Sequence, residues 1–293
     1  MNRLFLLAMV LLLLGSGAAA QSPDGNQPRF YASAVSPWHR GPDGVERMNL
    51  VGDSISPTAV NAFRLRYPAG VGKDSSKASI HFHFGTEHVL VLKGTYVIGF
   101  GNSPDFSQAK VYTEGGFVVI PSGVPHYEWT RGETEIQIEA LGPSRTIPWP
   151  RSSFQAARMQ PPSDVMSAGE NGLTNWSNTP SGVAMMRLAG AVPPSPAELV
   201  AFRIHFPPGA VKDTIYHYHF GSEHITILKG TLWFAIGEHA DPKLAKPYGP
   251  GSFIENPSGA KHFEWIEGDN IAHIESIGGL GAINLDKATG QPR

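Results

Sequence analysis

The stretch His81-Phe82-His83-Phe84-Gly85-Thr86-Glu87-His88 decides the fold, because the chain contains it twice. The second copy, His217-Tyr218-His219-Phe220-Gly221-Ser222-Glu223-His224, lies 136 residues further on and is identical at six of the eight positions. A β-rich apolar segment follows each copy and ends in a tight-turn signal, Lys93-Gly94 or Lys229-Gly230. The pattern predicts strand, turn and strand in both halves.

The repeat extends well beyond these octapeptides. Gly115, Pro121-Ser122-Gly123 and His126 recur as Gly251, Pro257-Ser258-Gly259 and His262, again 136 residues apart. Upstream, Met48–Gly52 aligns with Met186–Gly190, so the first half carries a few extra residues before its histidine pair. Each repeat has about the length of one compact domain. An internal duplication of this length predicts two domains with the same fold.

Short strands separated by Gly and Pro turns are typical of antiparallel barrels. The predicted fold class is therefore all-β, with two tandem β-barrels. The predicted domains are a signal peptide at 1–20, an N-terminal arm at 21–45, a first barrel at 46–150, a linker at 151–182 with a short helix near 154–159, and a second barrel with a C-terminal tail at 183–293.

Composition and the N-terminus limit where the protein acts. The net charge is −2 and no Lys/Arg stripe occurs, which excludes a nucleic-acid partner. Arg3 precedes the apolar run Leu4–Leu14 and a string of small residues ending at Ala20. This pattern predicts a signal peptide cleaved before Gln21 and an exported chain, periplasmic or extracellular. The alternative, a membrane anchor, is disfavoured by the short run, so no membrane partner is expected after cleavage. A homo-oligomer is compatible with the sequence.

The duplicated histidines predict two metal sites. His81 and His83 are two apart on a strand, so their imidazoles share a face, and Glu87 and His126 can complete the set. The chain contains no cysteine, which leaves nitrogen and oxygen ligands. Such a set suits Mn, Fe, Ni, Cu or Zn, and the sequence does not distinguish among these divalent metals. The eight candidate ligands, four per repeat and two metal ions per chain, are His81, His83, Glu87, His126, His217, His219, Glu223 and His262.

At these positions the chain resembles the cupin superfamily. The first motif of that family is His-x-His, three or four residues, Glu, six residues, Gly, and the second is Gly, five residues, Pro-x-Gly-x-x-His. Both motifs fit both repeats, which include most of the mature chain. The sequence departs from the family at Ser75 and Val211, where a Gly is usual, and at Thr130 and Ile266, where an Asn is frequent. The resemblance implies a tandem bicupin, with two jelly-roll barrels of six to eight strands and a metal inside each.

Residues around the predicted ligands have more than one interpretation. Glu128 and Glu264 are either solvated strand ends, which the sequence slightly favours, or acids that orient a ligand or move a proton. Apolar residues that share the face of each ligand glutamate, such as Val89 and Ile225, predict a largely apolar cavity. Four polar residues alternate with apolar ones and are predicted either to line the pocket or to face water: Gln137, Glu139, His273 and Glu275.

Two further pairs recur in both repeats. Arg64 and Arg203 are predicted to lie at the surface, with binding of a substrate carboxylate as the alternative. His88 and His224 follow the ligand glutamates and should point away from the metals. Bicupin oxalate decarboxylases have an Arg three residues before the first metal histidine, whereas this chain has Ala78 and Thr214. That departure disfavours oxalate as a substrate.

Three hypotheses about function remain open at the level of sequence. The first is a metal-dependent enzyme, best described as a dioxygenase, that acts on a small organic molecule. The second is a non-oxidative isomerase or lyase that uses the metal as a Lewis acid. The third is a non-catalytic protein that binds metal or a small ligand. No catalytic residue beyond the ligands is identified.

Overall fold

The computed structural model describes residues 29–31, 37–52, 59–71, 78–149, 167–168, 176–180, 182–190, 198–210, 213–279 and 281–293. The predicted signal peptide, the short helix predicted near 154–159, Ser75 and Val211 lie outside these residues. Among the described residues, the helical structure is one 3-10 turn, Pro242–Leu244. No helix in this part of the chain has the length and apolar composition needed to cross a bilayer.

Strands make up almost all of the regular structure, as the Gly- and Pro-punctuated sequence predicts. The strands that precede residue 150 are β1 (Arg29–Tyr31), β2 (His39–Arg40), β3 (Glu46–Val51), β4 (Val60–Tyr67), β5 (His81–Phe82), β6 (Thr86–Lys93), β7 (Thr95–Phe100), β8 (Lys110–Thr113), β9 (Phe117–Ile120), β10 (His126–Thr130), β11 (Thr134–Leu141) and β12 (Ile147–Pro148). Those that follow are β13 (Ser167–Ala168), β14 (Ser177–Asn178), β15 (Ala184–Ala189), β16 (Leu199–Phe206), β17 (Ile215–His219), β18 (Ser222–Ile236), β19 (Lys246–Tyr248), β20 (Phe253–Asn256), β21 (His262–Ile277) and β22 (Ala282–Asn284).

The first barrel consists of two antiparallel sheets with the order β13-β9-β6-β11-β4-β3-β2 and β12-β5-β10-β7-β8. The second barrel uses longer strands. The single strand β18 corresponds to both β6 and β7 of the first barrel, with register shifts on both sides of Lys229. β21 likewise corresponds to β10 and β11. Because these strands bend from one face to the other, the second barrel forms a single ten-stranded sheet. The prediction of an all-β fold is confirmed.

Apolar side chains from both barrels pack together in two matching clusters. Phe117 of β9 inserts against Met186, Leu188 and Ala201 of the second barrel. Its counterpart Phe253 of β20 inserts against the first barrel in the same way, where it contacts the buried side chains of Met48, Leu50 and Ala62. The outer faces of β3 and β15 are thus buried between the barrels, which fixes the two barrels against each other.

Polar side chains cross the same interface in pairs that occur twice. His88 Nδ1 lies 2.7 Å from Glu275 Oε2, and His224 Nδ1 lies 2.6 Å from Glu139 Oε2. Gln137 Nε2 donates to Thr226 Oγ1 over 2.9 Å. The polar face of β11 and β21 therefore lies between the barrels, and both sequence interpretations, pocket lining and water-facing strand, are wrong. The prediction that His88 and His224 point away from the ligand clusters is confirmed.

The two arginines are buried in this interface, so the prediction of a surface position is wrong. Arg64 and Arg203 are 2 % and 0 % exposed. Arg64 Nη1 donates to the carbonyl of Gly251 over 2.8 Å, and Arg203 Nη2 donates to the carbonyl of Gly115 over 2.5 Å. Each guanidinium therefore binds a turn of the opposite barrel. Burial lowers the pKa of both groups to about 10, so they remain charged at neutral pH.

Short strands outside the barrels are exchanged between them. β1, which precedes the first barrel in sequence, pairs with β20 of the second barrel through Arg29↔Glu255 to Tyr31↔Phe253. β13, which precedes the second barrel, pairs with β9 of the first through Ser167↔Val118 and Ala168↔Phe117. Each barrel is thereby extended by a short strand that comes, in the sequence, just before the other barrel.

Candidate metal centres

Strand register brings the first and last predicted ligands of each set together. In the first barrel β5 and β10 are antiparallel and pair His81 directly with His126. In the second barrel β17 and β21 pair His217 directly with His262. Side chains of directly paired residues lie on the same face of a sheet. Two histidines that are 45 residues apart in sequence therefore face each other inside each barrel.

The Pro-x-Gly turns hold the last histidine of each set in place. Gly123 and Gly259 have φ angles of +73° and +72°, a conformation that favours glycine. Their N–H groups donate to the carbonyls of His83 and His219, both over 2.8 Å. The second motif is thus bonded to the backbone of the His-x-His segment, which explains why the spacing of both motifs matters for the site.

The first candidate centre contains His81, His83 and His126, whose ring nitrogens offer ligand atoms within 4.8 Å of one another. The rings are 7 %, 7 % and 0 % exposed. Glu87 Oε1 lies 3.5 Å from His83 Nδ1. The structure therefore brings all four residues predicted for this site into one buried cluster.

The second candidate centre brings its imidazole nitrogens within hydrogen-bond distance of one another. His217 Nε2 lies 2.9 Å from His219 Nε2 and 3.0 Å from His262 Nε2. Glu223 Oε2 lies 3.7 Å from His219 Nε2 and 3.9 Å from His262 Nε2. Three imidazole nitrogens and a carboxylate oxygen thus point at one common position.

The protonation state of the imidazoles, together with the ring hydrogen bond of His126, suits them to hold a metal ion. Burial, followed by the neighbouring imidazoles, lowers the pKa of His83 to about 4, that of His126 to about 3 and that of His217 to about 2, so these rings are neutral at pH 7. His126 Nδ1 donates to the carbonyl of Val124 over 2.9 Å, which leaves Nε2 buried and without a hydrogen-bond partner. Neutral imidazoles whose Nδ1 is bonded to a carbonyl are typical metal ligands. The donor set therefore fits a divalent transition metal.

Solved structures with the same architecture are numerous. A proposed dioxygenase from Nostoc punctiforme is 15 % identical, with 92 % of this chain and 88 % of that one aligned at a TM-score of 0.63. Oxalate decarboxylase from Lactobacillus farciminis is 13 % identical, with 87 % and 88 % aligned at a TM-score of 0.57. Protein Ylba from E. coli is 10 % identical, with 87 % and 93 % aligned at a TM-score of 0.57. No protein-family model and no curated protein matches the sequence.

The chain has the bicupin fold. Both barrels are included in these alignments, which confirms the fold predicted from the two duplicated motifs. At 10–15 % identity the likeness shows the fold alone. What this bicupin does has to be inferred from its own sites.

The second barrel of this bicupin contains a cavity of about 640 Å³ beside its candidate metal centre. His217, His219 and Glu223 form part of the wall. Most of the remaining wall is apolar, and its larger side chains are Met185, Phe202, Phe206, Leu232 and Ile274. A volume of this size is within the range of small-molecule sites, about 300–1,000 Å³. The prediction of an apolar cavity is confirmed for the second barrel.

The equivalent space in the first barrel is occupied by larger and more polar side chains. Tyr96, which is 1 % exposed, stands where the second barrel has Leu232, and its hydroxyl donates to Glu128. Tyr67 replaces Phe206, and Arg47 replaces Met185. The Arg47 guanidinium lies 3.6 Å from the centre of the Phe63 ring. The two bicupin halves therefore share their candidate ligands but not the space next to them.

The carboxyl groups of Glu128 and Glu264 lie inside the barrels. Glu128 accepts the hydrogen bond of the buried Tyr96, and Glu264 lines the cavity of the second barrel. Burial, followed by the nearby Glu223 carboxylate, raises the pKa of Glu264 to about 8. The slightly favoured interpretation of these acids as solvated strand ends is wrong. The signal that could have identified them was their two-residue spacing from His126 and His262, which puts them on the ligand face.

Proposed function

We propose that the chain is a metal-dependent enzyme of the dioxygenase type, acting on a small, largely apolar organic molecule in the second barrel. The observation that carries this proposal is the location of the His217–His219–Glu223 group on the wall of a 640 Å³ apolar cavity. In the first barrel, Tyr67 and Tyr96 occupy the corresponding positions. The dioxygenase activity proposed for the Nostoc punctiforme protein, whose fold is the same, is consistent with this function.

His217, His219, Glu223 and His262 would hold a divalent ion, which would supply Lewis acidity to the reaction. The chain's own residues define the rest of the site. Phe202, Phe206 and Leu232 remove water from the apolar body of a substrate. An oxygen donor on that substrate, such as an enol or phenol, is the group that would approach the histidines. In a dioxygenase reaction both atoms of dioxygen are incorporated into the product.

Oxygen uptake by the metal-loaded protein tests this proposal. Mn, Fe, Ni, Cu and Zn forms are assayed against a panel of enolic and phenolic molecules small enough for the cavity. We expect stoichiometric uptake with at least one metal and incorporation of both oxygen atoms from ¹⁸O₂. Absence of uptake with every metal and substrate would contradict dioxygenase chemistry.

A second candidate function is a non-oxidative isomerase or lyase, which the position of Glu264 favours. This carboxyl group lines the cavity beside the histidines and is outside the predicted ligand set, so it can contact a substrate proton directly. Turnover under strict anaerobiosis, without oxygen incorporation, would distinguish this function from the first.

Oxalate is a poor fit to either function. Ala78 and Thr214 stand where bicupin oxalate decarboxylases have an arginine, and the cavity wall is mostly apolar. The apolar wall offers few polar groups to replace the hydration that a small dianion loses on entry.

The substitution Leu232→Tyr should block the second barrel without removing its metal. A tyrosine there repeats the arrangement of Tyr96 and Glu128, with Glu264 as the hydroxyl's acceptor, and fills the cavity. We expect kcat/KM to fall at least about tenfold, because the added ring occupies substrate space. Metal content by elemental analysis should stay at the native value.

The matched control is the reciprocal substitution Tyr96→Leu in the first barrel. It removes a side chain that is distant from the proposed substrate, so kcat/KM should remain within about twofold of native. If Tyr96→Leu abolishes turnover while Leu232→Tyr leaves it unchanged, the substrate occupies the first barrel instead.

We also propose that the chain is exported, with residues 1–20 as a signal peptide and a mature protein that begins at Gln21. The support is the order of Arg3, the apolar run and the small residues in the sequence. Intact-mass measurement on protein recovered from the periplasm or medium should give the mass of residues 21–293. A mature chain that retains Met1 would contradict export by cleavage.

A further inference from the structure

Asn256 is one residue by which the second candidate metal centre differs from the first. It lies at the end of β20 and pairs directly with the predicted ligand Glu223 of β18. The equivalent pair in the first barrel is Glu87 with Ile120. Both partner residues are buried, at 1 % and 2 % exposure. The Glu223 carboxylate thus has the Asn256 amide beside it, whereas the Glu87 carboxylate has the aliphatic side chain of Ile120.

The Asn256 amide contacts two of the predicted ligands of the second centre. Its Nδ2 donates to Glu223 Oε2 over 3.2 Å and lies 3.1 Å from His262 Nδ1. In this orientation the amide nitrogen, a hydrogen-bond donor, faces the carboxylate, an acceptor. Oε2 is also the oxygen nearest to the Nε2 atoms of His219 and His262. The hydrogen bond therefore holds the carboxylate oxygen that faces the imidazoles.

His262 does not need the amide for its own orientation. Its Nδ1 lies 3.0 Å from the carbonyl of Ala260, which accepts the ring proton when Nε2 faces a metal. The N–H groups of Asn256 then remain available to Glu223. In the first barrel Glu87 Oε1 is buried without a hydrogen-bond partner, since Ile120 offers no donor.

We infer that Asn256 is a positioning residue that pre-orients Glu223, so that the second barrel binds its metal ion more tightly than the first. This inference rests on the metal binding that the proposed function also requires, and not on turnover. Hydrogen bonds to metal-binding carboxylates fix their rotation, and their loss costs about 10–100-fold in metal affinity. The two barrels, with the same ligand residues, would then load in sequence.

The test uses chains that retain one site each. His81→Ala/His83→Ala leaves the second centre, and His217→Ala/His219→Ala leaves the first. In the second-centre chain, Asn256→Ile introduces the residue that the other repeat has at this position. We expect the Kd for Mn²⁺, measured by chelator competition, to rise about 10–100-fold. The visible absorption of the Co²⁺ form should also change, because the carboxylate is no longer held in one orientation.

Ile120→Asn in the first-centre chain is the reciprocal variant, and it should lower the Kd for Mn²⁺. Thermal unfolding of the metal-free chains checks that both variants fold. An Asn256→Ile chain with a Kd within twofold of its parent and an unchanged Co²⁺ spectrum would overturn the inference. So would an equal loss of affinity when Asn256→Ile is placed in the first-centre chain. If the parent chains bind no metal at all, the proposed function itself has failed.

Discussion

A chain carrying His217→Ala and His219→Ala should bind one metal ion where the native chain binds two, and should lose turnover by at least about hundredfold. The reason is geometric. His217 Nε2 lies about midway in the cluster, 2.9 Å from His219 Nε2 and 3.0 Å from His262 Nε2. Removal of two of three imidazoles leaves Glu223 and His262, too few ligands for tight binding. Elemental analysis and the oxygen-uptake assay measure the two effects.

His81→Ala with His83→Ala is the matched control in the first barrel. It should also reduce the metal content to one ion per chain, but turnover should fall only a few-fold, since the proposed substrate cavity is in the other barrel. The opposite pattern, with turnover lost in this variant and retained in the second-barrel variant, would contradict the assignment of the active barrel. Retention of two ions by either variant would contradict the ligand sets.

The second large effect is expected at the interface between the barrels, where Glu139→Ala should destabilise the protein by about 3–5 kcal/mol. Although burial alone would lower the pKa of His224, the Glu139 carboxylate at 2.6 Å raises it. Removal of that carboxylate leaves a buried imidazole without its charged partner. Urea unfolding of the metal-free chain should show the loss as a lower midpoint.

Two variants separate this effect from the loss of a charge in general. Glu133→Ala removes the exposed ion pair with Lys93 and should leave the urea midpoint unchanged. Glu139→Leu with His224→Leu replaces both buried partners by apolar side chains and should recover much of the lost stability. If the double variant is as unstable as Glu139→Ala, the cost arises from lost packing rather than from an unpaired imidazole.

The ligand clusters could be predicted from sequence because their geometry is local and duplicated. His81 and His83 share a strand face whatever the rest of the chain does, and the constant 136-residue separation shows the same set twice. The burial of Arg64 and Glu139 could not be predicted in this way. A strand with alternating polar residues usually has its polar face in water, and sequence does not show that a second barrel covers it. The signal available in the sequence is that His88 and Glu139 recur as His224 and Glu275, so that each repeat contains a histidine and an acidic residue that can pair with those of the other repeat.

The difference between the two cavities depends on packing rather than on motifs. Tyr96 and Leu232 occupy equivalent positions in sequence, so the substitution itself is visible in the repeat. Its consequence depends on whether a tyrosine hydroxyl finds an acceptor inside the barrel, and only the structure shows that Glu128 accepts it. The equivalent acceptor Glu264 is present in the second barrel without the tyrosine.

The exchanged strands β1 and β13 give the chain the symmetry of a swapped dimer. Each arm leaves its own barrel and completes the other, and the interface contacts occur in reciprocal pairs, as with Arg64 to Gly251 and Arg203 to Gly115. Reciprocal contacts are the mark of an isologous interface between two identical subunits. When two such subunits are fused into one polypeptide, the two halves no longer have to be identical. The first barrel can then fill its interior with side chains while the second keeps its cavity.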